Sequence, residues 1–369
     1  MEVFLTVDTN LEYEMTKSIR TSIREAISEL LKSGTTIKKG SKLAIKINNL
    51  GPYSSDTAAC THPAVLKAVI EEFKQFDINI TVYEDCLGDN DVEVSGIMTV
   101  IKETGVEFVN LRDRPYVKVK VNNNEYEYSS DILNADYLVT IPKMKTHVLT
   151  SYTGAIKLMY GSIIKSQRKM FHQYDDMRDF SGILVDIYSI KQPMLVVLDG
   201  IVSMDGPGPS HGTPNKSGLL LISNDGIIVD YYASKFMKYN PFDIDSIRIA
   251  FERGLEKCEP GQVKMIGADL ENSTSSFKTI PSLSGKTGKR FRGILIGELR
   301  FMEERCTKCG VCIISCPVNA IEMQEFPFTD SNKCINCYCC MELCSEGAYV
   351  LKNRFKHKDL KSNDEEGVK

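Results

Sequence analysis

Three hundred and sixty-nine residues exceed one typical domain and suggest two units. With 42% apolar and 25% charged residues the composition is that of an ordinary globular chain, which excludes disordered and collagen-like classes. Against 49 Asp and Glu, 45 Lys and Arg leave a net charge of −4, so no bulk positive field recruits nucleic acid or an anionic membrane.

No apolar run approaches the roughly 18 residues that a spanning helix needs, and Met1 to Asp8 lacks the basic region of a signal peptide. The expectation is a cytoplasmic protein. From residue 1 to about 270, short β-branched runs alternate with stretches of 3.6-residue period, which reads as an α/β domain with a large, mostly parallel sheet and helices on both faces. Leu43–Ile47 is a strand, Pro63–Phe76 a helix opened by proline, and Ile80–Tyr83 the next strand. Further strands are expected at 107–109, 137–141, 194–198, 218–222 and 263–266, with helices centred near 22, 100, 155, 185, 232 and 250. Between Tyr116 and Ser129 two alternating runs flank Asn122-Asn123-Asn124, as in a β-hairpin.

Residues 271–297 read as a linker, 298–352 as a small α+β domain and 353–369 as a polar tail. Within the linker, Gly285-Lys286-Thr287 lacks the upstream glycine of a phosphate-binding loop. Of the 12 cysteines, nine lie between Cys306 and Cys344. Cys306-x2-Cys309-x2-Cys312-x3-Cys316-Pro317 recurs 28 positions later as Cys334-x2-Cys337-x2-Cys340-x3-Cys344, an internal duplication that also repeats Ala320 as Ala348. Three closely spaced thiolates wrap corners of an iron-sulfur cube, whereas paired CxxC motifs would suit tetrahedral zinc. The spacing resembles bacterial two-cluster ferredoxins, and that resemblance implies two [4Fe-4S] clusters with crossed ligands. One would use Cys306, Cys309, Cys312 and Cys344; the other would use Cys334, Cys337, Cys340 and Cys316. Ser345 stands where that family usually has proline, and Cys339 is an extra thiol, either an inert neighbour or an alternative ligand.

Cys60, Cys86 and Cys258 read as buried packing residues, although Cys60 precedes a helix start where a thiolate is favoured. Strand 137–141 runs into Pro142-Lys143-Met144-Lys145-Thr146-His147 and a helix with Lys157, and His172 follows. Loops after strands converge at the carboxyl edge of α/β sheets, so these residues suit either an anionic ligand with a histidine moving a proton, or an exposed basic loop. After strand 194–198, the Gly- and Pro-rich run from Asp199 to Gly212 carries Asp205 and His211 on a loop that reads as a ligand approach or a tight crossover. Asn48, His62, Asp85 and Asp230 complete the polar set, the two aspartates being read as caps or solvated turns.

Asn48, Thr61-His62-Pro63, the 142–147 run, Thr153-Gly154-Ala155-Ile156-Lys157, Gly161, Asp199-Gly200, Gly206 to Pro209, Gly212 and Asp230 together resemble a large bacterial and archaeal family called domain of unknown function 362. Members often carry a carboxyl-terminal ferredoxin module, which implies an iron-sulfur protein of the same layout. The first functional expectation is an oxidoreductase that receives electrons from a partner such as ferredoxin or flavodoxin and delivers them to a site in the α/β domain. There Asn48, His62, Lys143, Lys145 and Lys157 would bind an anionic small molecule, with His147, His172, His211, Asp199 and Asp205 as catalytic groups. A second expectation is a non-catalytic electron carrier or maturation partner, and a third places a separate metal on the histidines and nearby aspartates.

Overall fold

A computed structural model describes residues 2–86, 88, 90–270, 276–280 and 293–352. Ser284–Arg290 with its Gly-Lys-Thr, and the tail from Asn353, lie outside the described residues. In chain order the large domain has strands β1 (Phe4–Asp8), β2 (Lys42–Ile47), β3 (Asn79–Glu84), β4 (Glu107–Asn110), β5 (Tyr116–Val121), β6 (Asn124–Ser129) and β7 (Tyr137–Ile141). There follow β8 (Lys143–His147), β9 (Ser151–Thr153), β10 (Leu195–Asp205), β11 (Thr213–Asn215), β12 (Leu219–Ser223) and β13 (Lys264–Gly267).

The main sheet runs β13-β1-β12-β10-β7-β2-β3-β4. Five of its junctions are parallel; only β12 runs antiparallel, against β1 and β10. Strand period two sorts the apolar residues: Leu43, Ile45 and Ile47 pack with Val139 and Ile141 beneath helices Thr16–Lys32, Pro63–Phe73 and Ile97–Thr104. Ala44 and Leu138 face the other layer, where helix Met177–Ile190 packs. Each large apolar side chain buried this way contributes roughly 1.5–3 kcal/mol. The chain leaves β2 toward β3 and β4 and later returns on its other side through β7. A crevice therefore opens at the carboxyl ends of β2 and β7, the topological switch point.

That edge differs from the sequence expectation in three ways. Lys143–His147 is a strand, paired with β9 and with Met204 of β10, because all five of its residues are buried despite their polarity. β10 continues to Asp205, held by β11, so Asp199 and Asp205 lie on a strand and only the residues after Asp205 form the loop. The helix expected near 155 is one turn, Ala155–Leu158, continued by a 3-10 turn through Ser162. Pro63–Phe76 likewise ends as α-helix at Phe73.

The duplication in the cysteine segment is visible in the backbone. β14 (Glu298–Phe301) pairs with β17 (Tyr349–Lys352), and β15 (Ile321–Met323) with β16 (Pro327–Thr329), around short helices Val311–Ser315 and Cys339–Glu342. Left-handed φ recurs at the same offset: Lys308 and Asn336 (59° and 52°), Gly310 and Tyr338 (79° and 58°), Asn319 and Gly347 (50° and 62°). Part of the expected linker is tied down, since the Gly206 amide donates to the Lys278 carbonyl and the Ile280 amide to the Tyr239 hydroxyl. Among the described residues no helix is long and apolar enough to cross a membrane.

Candidate functional site

Backbone turns arrange the module's sulfurs. The amide of Lys308 donates to Cys306 Sγ (3.4 Å), that of Ala320 to Cys316 Sγ (3.1 Å) and that of Ala348 to Cys344 Sγ (3.3 Å). Such bonds stabilise a thiolate and tune a cluster held by it. Burial pushes the Cys312 thiol up, and Cys309 and Cys344 add to this; burial does the same at Cys334, where Cys337 and Cys316 add. Each fourth cysteine thus neighbours the opposite run. Among the described residues no three His, Cys, Asp or Glu side chains gather tightly enough for a single metal ion. The all-thiolate donor set and its amide–sulfur bonds fit a cubane. Cys339 is pushed well up by its hydrogen bond with Cys337 and by burial.

On β8, Lys143, Lys145 and His147 share one face by strand alternation, yet they enter different surroundings. Lys143 Nζ lies 2.9 Å from Asp199 Oδ2 and 2.6 Å from the Tyr13 hydroxyl. Tyr13 donates to Asp199 Oδ1 (3.0 Å) and accepts from Val202 N–H, and its ring stacks on His62 at 3.4 Å. The His62 amide also donates to Asp199 Oδ2 (2.9 Å), while its Nδ1 caps helix Pro63–Phe73 through the Ala64 amide (3.1 Å). Every partner in this corner belongs to the α/β domain. Both Lys143 and Asp199 are fully buried and paired with each other, an internal brace of the α/β domain.

Lys145 Nζ donates to the Ala59 carbonyl (2.8 Å). Burial pushes this ammonium down to about 7; Cys60 and Glu342 pull it up, and Lys157 and Lys143 push it down. His147 Nδ1 accepts from the amides of Leu149 (3.1 Å) and Thr150 (3.4 Å), which leaves the ring proton on Nε2. That Nε2 lies 3.3 Å from Glu342 Oε1, and burial with Lys157 nearby holds the imidazole neutral, well below its ordinary value. Glu342 comes from the cysteine module. Burial lifts its carboxyl to about 7, opposed by Lys157 and Lys145. Lys157 is lowered by burial and raised by Glu342 and Cys339.

The other expected residues surround this contact or stand apart. His172 Nδ1 is 2.8 Å from the Arg168 carbonyl and 3.3 Å from the Tyr160 hydroxyl, and the residue is among those that lower His147. His211, lowered by burial, faces the carbonyls of Cys344 and Met341 and packs edge-on against Tyr53. Asp205 accepts from Asn215 Nδ2 (3.0 Å) and the Lys278 amide (3.2 Å), which makes it a latch for the 276–280 segment and not part of the basic cluster. Asn48 exchanges backbone and hydroxyl bonds with Thr61, and its buried Oδ1 has no hydrogen-bond partner among the described residues. Cys60 is buried and pushed up to about 11, so the helix-start thiolate does not form.

Asp85 and Asp230 are not solvated. Asp85 is buried and ion-paired with Arg168, beside a Lys46–Glu84 pair at 2.5 Å. Gly161 lies over that pair: a Cβ there would sit 3.2 Å from Lys46 Nζ. Asp230 accepts from Tyr152 OH (3.0 Å), Ala155 N–H (2.7 Å) and Ile156 N–H (2.9 Å), capping the turn that carries Lys157. A Cβ on Gly154 would meet both Asp230 and Tyr152 at 2.1 Å, which explains a glycine before this turn.

Sequence reasoning missed Tyr13, Tyr53, Glu84 and Glu342. For Glu342 a signal existed: the 28-residue offset pairs it with Ile314, so the duplication breaks from apolar to acidic there. Ile314 is 65% exposed, whereas Glu342 is buried against β8.

The family described as domain of unknown function (DUF362) matches residues 43–235, more than half of the chain. The chain belongs to the DUF362 family. A 4Fe-4S binding domain matches residues 299–322, so this DUF362 member is also an iron-sulfur protein. It is 25% identical over 245 residues to the thylakoid-associated protein sll1697 of Synechocystis sp., covering 64% of this chain and 76% of that one. The lactate racemase apoprotein of Thermoanaerobacterium thermosaccharolyticum aligns with a TM-score of 0.34 at 12% identity, over 55% of this chain and 51% of that one. A Thermotoga maritima protein aligns with a TM-score of 0.39 at 13% identity, over 63% and 59%. The DUF362 chain thus spans between half and three-fifths of the length of these two structures.

Proposed function

We propose that the chain is an iron-sulfur oxidoreductase acting on a small anion at Lys145, His147 and Lys157. Two [4Fe-4S] clusters, one on Cys306, Cys309, Cys312 and Cys344 and one on Cys334, Cys337, Cys340 and Cys316, supply single electrons when bound. The observation that carries this reading is the Glu342–His147 contact: a residue two positions from both Cys340 and Cys344 touches the basic strand at the sheet's carboxyl edge. Lys145 and Lys157 attract the anion in a dry setting, where charge is worth more than in water. His147, with Nδ1 fixed by two amides, presents Nε2–H as the proton donor. Cys309 is the exposed cysteine of its set, which favours electron entry there from a reduced ferredoxin or flavodoxin.

Anaerobically prepared protein is expected to hold about eight iron and eight sulfide per chain. Cys316→Ala should remove the paramagnetic signal of the second set and Cys344→Ala that of the first. Two zinc ions without labile sulfide would end the reading. With clusters intact, reduced methyl viologen should be oxidised only when a small carboxylate or phosphate is added from a test panel; indifference to every anion would favour a pure electron carrier.

A further inference from the structure

An acidic side chain of the cysteine module meets the imidazole of His147, and Lys145 and Lys157 act on it electrostatically. The Tyr53 hydroxyl donates to the Glu342 carbonyl (3.2 Å), which fixes the backbone, and the side chain then points Oε1 at His147 Nε2 from 3.3 Å. Both atoms are buried, and neither completes a well-formed hydrogen bond. The carboxylate therefore lies in the basic cluster without being locked there. Nor does the module itself require it, because the equivalent position of the first half is Ile314, in solvent. Glu342 is suited to the site on β8 and not to the cluster-binding fold.

We propose that Glu342 is a tethered competitor: its side chain occupies the carboxylate subsite formed by Lys145, His147 and Lys157, and a small carboxylic acid binds by displacing it. The proposal rests on the anion-site reading above and adds its substrate class and its regulation. A carboxylate entering from solution takes up the His147 Nε2–H and the field of the two lysines, while Glu342 withdraws with the turn 339–344. Substrate arrival then moves a segment that carries Cys339, Cys340 and Cys344, so occupancy of the site is communicated to the cluster ligands. A tethered group competes at a high effective concentration, so free acids bind the unmodified protein weakly.

The test uses acetate on the anaerobic, cluster-loaded full chain, with sodium chloride of equal ionic strength as control. Glu342→Gln keeps the shape and removes the charge, and calorimetry should show acetate bound roughly tenfold more tightly or better. Adding Lys157→Gln should abolish that gain. Equal acetate affinity in the wild type and Glu342→Gln, with Lys157→Gln weakening both, would overturn the tethered competitor and leave the anion site standing. No acetate binding in any variant would remove both. Because Glu342→Gln stands beside cluster ligands, a second arm uses the unmodified protein: saturating acetate should speed amide hydrogen exchange within 339–344 and leave Val311–Ser315 unchanged. Unaltered exchange at 339–344 under saturating acetate overturns the proposal independently.

Discussion

Lys143 and Lys145 stand two residues apart on the same face of β8, and both are fully buried, but only Lys143 has a carboxylate paired with it. Lys143 finds its carboxylate, Asp199, on the neighbouring strand β10, with Tyr13 and His62 completing the enclosure. Lys145 donates to a carbonyl of its own domain and is raised chiefly by Cys60 and to a lesser extent by Glu342 of the module. A buried cation satisfied within its own sheet is a brace. One held only by a carbonyl keeps its charge unpaired, and the two corners should therefore fail differently when altered.

The largest effect is expected at the brace. Lys143→Met strands Asp199 in a dry interior, and breaking a buried pair in this way costs about 3–5 kcal/mol. Denaturant unfolding should show it, with the bound iron unchanged in the protein that remains folded. A loss below about 1 kcal/mol would mean that Tyr13 and the His62 amide alone satisfy Asp199, and the distinction between the corners would narrow.

At the second corner the effect depends on pH. Burial holds Lys145 near 7 in the folded chain against an ordinary value of 10.5. Between these values the unfolded chain binds the proton and the folded chain does not, so stability rises as pH increases from about 7 to 10.5. Across that window each step of one in pH adds roughly 1.4 kcal/mol. Subtracting the curve of Lys145→Met from that of the wild type isolates this slope; coincident curves would show that Lys145 keeps its proton throughout.

The smallest effect sharpens the comparison from the acid side. Burial holds His62 near 4 against an ordinary 6.5, with Asp199 opposing and Lys143 assisting. The unfolded chain protonates first, so stability falls as pH drops from about 6.5 to 4. His62→Asn can retain the helix cap and should flatten that part of the acid limb. An unchanged limb would assign the acid sensitivity to other groups.

The module was readable because its chemistry is local: a duplicated ligand spacing fixes its turns, and the left-handed pairs 308/336 and 310/338 follow from the same offset. The sheet's core was readable for a similar reason, since alternation in Leu43–Ile47 and Tyr137–Ile141 records which face is buried. β8 was not, because Lys-Met-Lys-Thr-His looks like an exposed loop unless the partners that bury it are known. Those partners, Asp199, Ala59 and Glu342, lie 56, 86 and 195 residues from the side chains they meet, Lys143, Lys145 and His147. The same distance hid the true extent of β10, whose last residues pair with β8 and β11.

One apolar cluster joins Met159, Tyr160 and Phe171 of the large domain to Cys312, Cys316, Tyr338, Met341 and Tyr349 of the module. The border between the domains is therefore packed as a core. Lys169 and Gln173 tie it further, through the carbonyls of Ile314 and Pro317. Sulfur ligands that share hydrophobic contacts with the sheet make iron binding a clamp on one melting unit. Damage to a cluster by oxygen would then loosen the packing around Met159 and Tyr160, next to the helical turn that carries Lys157, and the chain would register it as a loss of fold.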